Sequence, residues 1–373
     1  MRVFALAFAV VVASACSSAP EPVPATTIAM DFTRPSSLYD APFPSEDLRT
    51  ADGHIDVSKF PGQDAALVVK QAVSLVASDA RGFSSTAGVF FSATAAVDPS
   101  SLPDVAHTTA DDAPVYLMDA DPTSPTYRKK IPASVSYDDD GGPYGAAHQI
   151  TVLPYQGVPL RPLTRYAAVV TSAVRDVLGR PLAASAQMQS LASGVAPPGV
   201  SPAAMGEMQG ALAALGDAVT NVVGLAAYRP YDPLAGMRAA VADVLARPLP
   251  TPNAPLAPNE VFPDYCVYSS TIDMPVYPPG TPPYAKDGGV WTFDAQGKPI
   301  FQRNETASVV VTLPRIAMPA NGFPTVVFSR IGAGGDRPLV DRGVQPGTGL
   351  PATTSGTGPA LELARAGFAG ISI

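Results

Sequence analysis

The sequence predicts a mainly β N-terminal domain with added helices, followed by the beginning of an α/β domain. The chain of 373 residues holds 42 prolines against 31 glycines, a composition that favours short elements joined by fixed turns. Between residues 31 and 191, short apolar runs alternate with Pro, Gly and Asp, which is typical of an all-β domain. Near the end, continuous apolar runs at Thr325–Phe328 and residues 370–373 flank a predicted helix at Pro359–Arg365. Such runs favour strands covered on both faces by helices.

The first residues carry an export signal. Arg2 supplies a positive charge, residues 4–12 form an apolar stretch, and residues 13–15 are small side chains directly before Cys16. This arrangement resembles a bacterial lipoprotein signal, which implies that Cys16 is acylated and anchors the mature protein to a membrane. The alternative is ordinary secretion with Cys16 removed or unmodified. Export is expected in both cases, and the anchor predicts a protein of the bacterial cell envelope, as an outer-membrane lipoprotein.

Residues 17–30 are predicted to form a disordered tether, because they combine prolines with small residues and offer little apolar surface to pack. If Cys16 is lipidated, Cys266 is the only other cysteine, so no intrachain disulfide is expected. The formal net charge of −8, with scattered Lys and Arg, argues against a nucleic-acid partner.

The mainly β domain is predicted to extend over residues 31–248. Its best strands are the apolar runs at residues 88–93, 115–118, 148–153 and 166–171, and residues 221–228 are a further strand candidate. Residues 138–142, three aspartates followed by two glycines, give the strongest turn signal. Together these features predict a sandwich of the immunoglobulin-like type.

Two helices are predicted in the same domain, near residues 201–219 and 232–247. The first starts with Ser201 as N-cap followed by proline. Apolar residues spaced by three and four then define one inward face on each helix: Met205, Met208, Leu212, Leu215 and Val219 on the first, and Leu234, Met237, Val241 and Val244 on the second. Four prolines in residues 249–258 predict a linker, and residues 259–373 are predicted to be a second, incomplete domain.

Short motifs in both halves carry a family resemblance. They lie at residues 41–48, 53–56, 60–61, 160–166 and 175–179, and again at residues 283–284, 288–289, 321–328 and 364–369. In these motifs the chain resembles exported bacterial lipases and esterases that have an N-terminal domain of the virulence-factor lipase type ahead of an α/β hydrolase domain. The resemblance implies carboxylic-ester hydrolysis by serine acyl transfer on an ester or lipid substrate, with no cofactor and no metal.

The resemblance also implies where the oxyanion of acyl transfer would be stabilised. In the family, backbone amides do this directly after the strand that matches Thr325–Phe328, so Ile331, Gly332 and Ala333 are the candidate oxyanion-hole residues. Relatives have a His-Gly pair where this chain has Ser329-Arg330-Ile331-Gly332. The alternative is that the glycines of this segment only permit a tight loop.

The catalytic residues of the family are missing from the sequence. A Gly-x-Ser-x-Gly elbow does not occur, and residues 355–358 are predicted to be a loop that enters a helix. His54, His107 and His148 all precede the predicted linker, whereas a triad needs a histidine late in the hydrolase domain. The chain is therefore expected to be an inactive fragment. The alternative is a noncatalytic surface lipoprotein whose β domain binds a polymer, a lipid or another protein.

Two acidic groups have other interpretations. Residues 138–140 are three consecutive aspartates that could bind calcium, but a solvated hairpin tip is the simpler prediction. Asp336-Arg337 and Asp341-Arg342 are expected to form ion pairs that hold the glycine-rich segment, and the alternative is that they are exposed surface charges that contribute under about 1 kcal/mol.

Overall fold

The computed structural model describes residues 24–284, 287–329, 337–342 and 353–373. Within these residues the protein is mostly β-sheet with some helices. Contacts divide the chain into two compact units, one ending at Asp232 and one beginning at Pro233. They are called the first unit and the second unit below.

In the described part of the first unit, residues 24–232, the strands form two antiparallel sheets. One has the strand order β1-β5-β4 and the other β3-β2-β6-β7. The strands are β1 (Val89–Ser92), β2 (Val115–Asp119), β3 (Lys130–Ile131), β4 (Ala133–Asp138), β5 (Gln149–Pro154), β6 (Tyr166–Thr171) and β7 (Val222–Tyr228). The predicted strands at 88–93, 115–118, 148–153, 166–171 and 221–228 are therefore confirmed within one or two residues.

Burial explains why these strands form. Every residue of β2 and β7 is buried, so both strands have continuous apolar character rather than alternation. Phe91 and Ile150 from the first sheet and Leu117 and Val169 from the second belong to one hydrophobic core. The two sheets therefore share a core, which fits a layered β domain.

Between residues 24 and 232, the first unit has three α-helices: α1 (Leu67–Asp79), α2 (Ala186–Ala192) and α3 (Pro202–Leu215). The Ser201 hydroxyl caps α3 by accepting the N–H of Ala204, as the sequence predicts. The α-helix ends at Leu215, earlier than the predicted 219, because Gly216 has a φ of 58° and a 3-10 helix follows. Its Met208 and Leu212 are buried, which confirms the centre of the predicted face. Helices α1 and α2 were not predicted.

The aspartates at residues 138–140 lie at an exposed tip between β4 and β5, which confirms the turn prediction. The Asp138 carboxylate accepts the N–H groups of Asp140 and Gly141, both at 3.1 Å. Gly141 and Gly142 have φ values of 66° and 59°, the left-handed conformation that glycine adopts without strain.

The second unit is built on a five-stranded mixed sheet with the order β11-β12-β10-β9-β8. Its strands are β8 (Ala257–Val261), β9 (Tyr265–Val276), β10 (Arg303–Pro314), β11 (Thr325–Phe328) and β12 (Ala369–Ser372), and its helices are α4 (Ala235–Leu245) and α5 (Pro359–Arg365). β11 and β12 are parallel, and all other neighbours are antiparallel. β11, β12 and α5 lie where the sequence predicts them.

Helix α4 departs from the sequence prediction in two ways. It belongs to the second unit, where Asp243 accepts a hydrogen bond from the Tyr277 hydroxyl at 2.6 Å, whereas the sequence assigned residues 232–247 to the first domain. Its predicted inward residues Leu234, Met237, Val241 and Val244 are exposed. Periodicity identifies an apolar face but not the surface that covers it, so the prediction of burial was wrong.

The predicted linker at 249–258 is partly sheet. Ala257 and Pro258 open edge strand β8, where a proline is tolerated because one side of the strand has no hydrogen-bonding neighbour. Asn253 N–H donates to the carbonyl of Thr271 on β9 at 2.8 Å. The prolines thus prevent a central strand but not an edge strand.

The prediction that helices cover both faces of β11 was also wrong. This strand lies at the sheet edge, and Val327 is 72% exposed. β12 is mostly buried, as expected of a strand with neighbours on both sides.

Candidate functional sites

Several predicted site residues lie outside the described residues. The oxyanion candidates Ile331, Gly332 and Ala333 are among them, as are the lipidation candidate Cys16 and Asp336. Cys266 is described as a free cysteine and is half-buried on β9. The structure does, however, describe the residues that flank the glycine-rich segment after β11.

An ion-pair cluster is the first feature of this region. Arg337 lies between Glu260 of β8, at 2.5 Å, and Asp341, at 2.8 Å. Burial disfavours the charged guanidinium, but hydrogen bonds from Arg337 to Glu260 and Asp341 outweigh burial and raise the pKa of Arg337. Of the expected pairings, Arg337 with Asp341 is present, while Arg342 Nε donates to the carbonyl of Thr357 at 2.7 Å.

The buried side chain of Tyr265 connects strand β9 to the segments on both sides of residues 343–352. It is fully buried at the start of β9, and its hydroxyl is placed to donate to the carbonyls of Gly356, at 3.0 Å, and Val340, at 3.3 Å. Burial raises the pKa of the Tyr265 hydroxyl well above its usual value, so this group stays a proton donor. One side chain therefore connects the sheet to residues before and after the stretch 343–352.

We expect Tyr265→Phe to lower the free energy of unfolding of the second unit by about 1–3 kcal/mol, because two buried carbonyls lose their donor. Denaturant unfolding measures the stability of the second unit. Limited proteolysis between residues 340 and 356 measures how well Tyr265 anchors that segment. Tyr268→Phe, on the same strand, is the matched control. Equal effects of the two substitutions would contradict the anchoring role of Tyr265.

The loop before α5 is shaped by close backbone contact. A Cβ on Gly358 would lie 2.5 Å from the carbonyl oxygen of Leu339, so only glycine fits there without displacement. The Ser355 hydroxyl donates to Asp341 Oδ1 at 3.0 Å. The three histidines of the sequence, His54, His107 and His148, all precede the second unit. Residues 355–358 thus form a loop that enters α5, as the sequence predicts.

A second cluster, in the first unit, was not predicted from sequence. Arg229 Nη1 contacts Asp121 Oδ2 at 2.6 Å, and its Nε contacts Glu207 Oε2 at 3.0 Å. Arg165 Nε contacts the same Glu207 oxygen at 2.7 Å. A Cβ on Gly210 of α3 would lie 2.0 Å from Arg165 Nη1, so this glycine lets the guanidinium lie against the helix. We call these four charged residues the ionic cluster.

Electrostatics keep the ionic cluster charged. Burial acts to raise the pKa of both carboxyls, but hydrogen bonds from Thr123 and Arg229 to Asp121, and from Arg165 and Arg229 to Glu207, lower both below their usual values. Its pairs are separated by 22, 42 and 108 residues along the chain, so no local sequence motif signals them. A cleft of about 620 Å³ beside the cluster is lined by Arg49, Arg81, Arg229, Glu46 and Glu207 among others.

The three histidines lie beside three different aspartates. His148 Nδ1 lies 2.7 Å from Asp139, His107 Nε2 lies 3.2 Å from Asp112, and His54 Nε2 lies 3.9 Å from Asp52. Within the described ranges, no group of three or more His, Cys, Asp or Glu residues is arranged to hold a metal ion. In the same part of the chain, no helix combines the length and the apolar character needed to cross a membrane.

Comparisons with known proteins add little. No protein-family model matches the chain, and no curated protein matches it. Two solved structures of the bacterial S-layer protein SbsC, one of domains 1-6 and one of the N-terminal part, are each 13% identical with a TM-score of 0.20. They match 66% and 67% of this chain, which spans 26% and 46% of their lengths. At such a TM-score these likenesses carry no weight for fold or function.

Proposed function

We propose that the protein is an exported, lipid-anchored relative of bacterial lipases and esterases, in which the second unit begins an α/β hydrolase sheet. The observation that carries this proposal is the arrangement of β11, α5 and β12. Two parallel strands joined through a helix form the basic unit of α/β sheets, and here they adjoin the antiparallel β10.

The position of the glycine-rich segment supports the proposal. It follows the carboxyl end of β11, and ligands of α/β sheets bind outside the carboxyl ends of the strands. It also precedes α5 in the sequence. In α/β hydrolases, a loop between a strand and the first helix supplies one oxyanion-binding N–H. The amides of Ile331, Gly332 and Ala333 are the proposed donors, and they would act on the oxygen that gains charge during ester cleavage.

The first unit is proposed to be a sandwich of the immunoglobulin-like type. Two antiparallel sheets of three and four strands with a shared core support this assignment, and helices α1 to α3 are additions to it. Export and lipidation of Cys16 rest on the sequence alone. A bound organic cofactor is not part of the proposal, because serine acyl transfer needs only side chains and amides.

The test is hydrolysis of p-nitrophenyl butyrate by the natural gene product isolated from the cell envelope. Gly332→Pro removes one proposed oxyanion N–H and is expected to lower kcat by about 10²–10³-fold. Ala320→Pro, in the exposed turn before β11, is the matched control and should leave kcat unchanged. The 373-residue chain by itself should show no hydrolysis, because its sequence has neither the serine elbow nor a late histidine.

A natural product without esterase activity would overturn the catalytic proposal and favour the noncatalytic binding role. Unchanged kcat in Gly332→Pro would remove the glycine-rich segment from the mechanism.

A further inference from the structure

Helix α1 lies at the surface of the first unit, where Val73 is partly buried against the hydrophobic core. None of its thirteen residues is buried, although eight of them are Leu, Val or Ala. Leu67 is 72% and Leu75 is 60% exposed. A helix of this composition in a folded domain normally buries one face. The exposed apolar residues of α1 therefore call for a binding partner or ligand.

An apolar pocket of about 390 Å³ lies along α1, and we call it the chain pocket. Val69, Val73 and Val76 form its wall on the helix, at spacings of four and three that put them on one face. Leu38, Phe43 and Phe60 form the facing wall. All residues that line it are Leu, Phe, Val or Ala, so nothing in it can hydrogen-bond a polar ligand through a side chain.

A polar pocket of about 710 Å³ adjoins the chain pocket, and we call it the head pocket. The two pockets share Val57 and Val73 in their walls. The head pocket is lined by the carboxylates of Asp52, Asp56 and Asp64, with Lys70 as its one lysine or arginine.

The charge of the head pocket is negative. Lys70 Nζ contacts Asp64 at 2.9 Å, so these two charges offset each other. Hydrogen bonds from Thr50 to Asp52 and from Ser58 to Asp56 lower the pKa of both carboxyls, which keeps them ionised at neutral pH. The polar side of the site therefore complements a cation, while the apolar side complements a hydrocarbon.

We propose that the first unit binds an amphiphile with a single alkyl chain and a positively charged head, the chain in the chain pocket and the head in the head pocket. Small-molecule pockets measure roughly 300–1,000 Å³, so the chain pocket has room for one chain. Filling the pocket buries the valines of α1 and holds the helix against the unit. This inference is independent of ester hydrolysis.

The experiment follows the fluorescence of N-phenyl-1-naphthylamine, an uncharged apolar probe, in the presence of the full chain. The probe should bind one saturable site and be displaced by dodecyltrimethylammonium below its micelle concentration. Dodecanoate has the same chain length with a negative head. At low salt it should displace the probe about tenfold more weakly, because its head meets carboxylates.

Variants locate the site. Val69→Asp puts a charge into the chain pocket and should weaken probe binding by about tenfold or more. Leu75→Asp puts the same charge on the same helix outside both pockets and should leave binding unchanged. Ala72→Phe fills the chain pocket without a charge and should also block the probe. Asp52→Asn together with Asp56→Asn should remove the preference for the ammonium head while probe binding persists.

Three results would each overturn the proposal. They are the lack of a saturable probe site, equal loss of binding in Val69→Asp and Leu75→Asp, and displacement by dodecanoate as strong as by dodecyltrimethylammonium.

Discussion

Replacing Arg34 by alanine is expected to lower the free energy of unfolding of the first unit by about 3–5 kcal/mol, the largest single effect that we predict. Arg34 is 4% exposed, and Asp47, its partner at 3.1 Å, is buried as well. The substitution would leave that carboxylate without its cation in a region that water hardly reaches.

Arg34 does more than neutralise one charge. Its guanidinium donates to the carbonyls of Ala41 and Pro42, each at 2.9 Å, and to that of Leu38. These carbonyls belong to the segment around the 3-10 helix Leu38–Asp40, which the guanidinium holds in place. Losing several hydrogen bonds at once explains why the expected effect exceeds that of an exposed ion pair.

The pH dependence gives a check on the cause. Burial raises the pKa of Asp47, while Arg34 opposes the rise. Without Arg34 the folded state should favour the protonated carboxyl still more, so the variant loses stability as the pH rises through that pKa. The difference between wild type and Arg34→Ala should therefore be smaller at pH 4 than at pH 7.

Urea unfolding at both pH values measures this difference. Arg34→Met combined with Asp47→Leu removes both charges and is the control, expected to be much less destabilised than Arg34→Ala. Equal destabilisation of the single and double variants would show that backbone hydrogen bonds, not the stranded carboxylate, cause the loss.

Arg229→Met is expected to destabilise the first unit by about 2–3 kcal/mol at pH 7, because Asp121 and Glu207 lose their shared cation. The value is below that for a fully buried pair since Arg229 is partly exposed to solvent, which screens the charges. Lys129→Met removes one exposed positive charge from the same unit and should change stability by less than about 0.5 kcal/mol.

Acid should reduce the effect of Arg229→Met. The folded-state pKa of Asp121 lies below its unfolded value, so the ion pair contributes stability that is present above about pH 4 and is lost as the pH falls further. The difference in unfolding free energy between wild type and variant should therefore shrink steadily as the pH falls below about 4. A gap that stays constant between pH 7 and pH 3 would contradict an electrostatic role of the ionic cluster.

The sequence predicts an element well where local chemistry decides it. β6 and α5 have the predicted bounds because their residues combine suitable apolar runs with clear stops, and Ser201 with Pro202 places the start of α3. By contrast, α1 was missed inside a stretch predicted to be all-β. Its four valines favour strands, and the helix has no capping side chain to signal its start.

By itself, the sequence determined many of the strands, the turn at residues 138–142 and that the protein is rich in β-structure, because these depend on neighbours a few residues apart. Only the tertiary structure decided that α4 exposes its apolar face, that β11 is an edge strand and that α1 flanks two pockets. It alone brought Asp121, Arg165, Glu207 and Arg229 together. Such features depend on which distant surfaces meet, and packing contacts and long-range ion pairs leave no periodic trace in the chain.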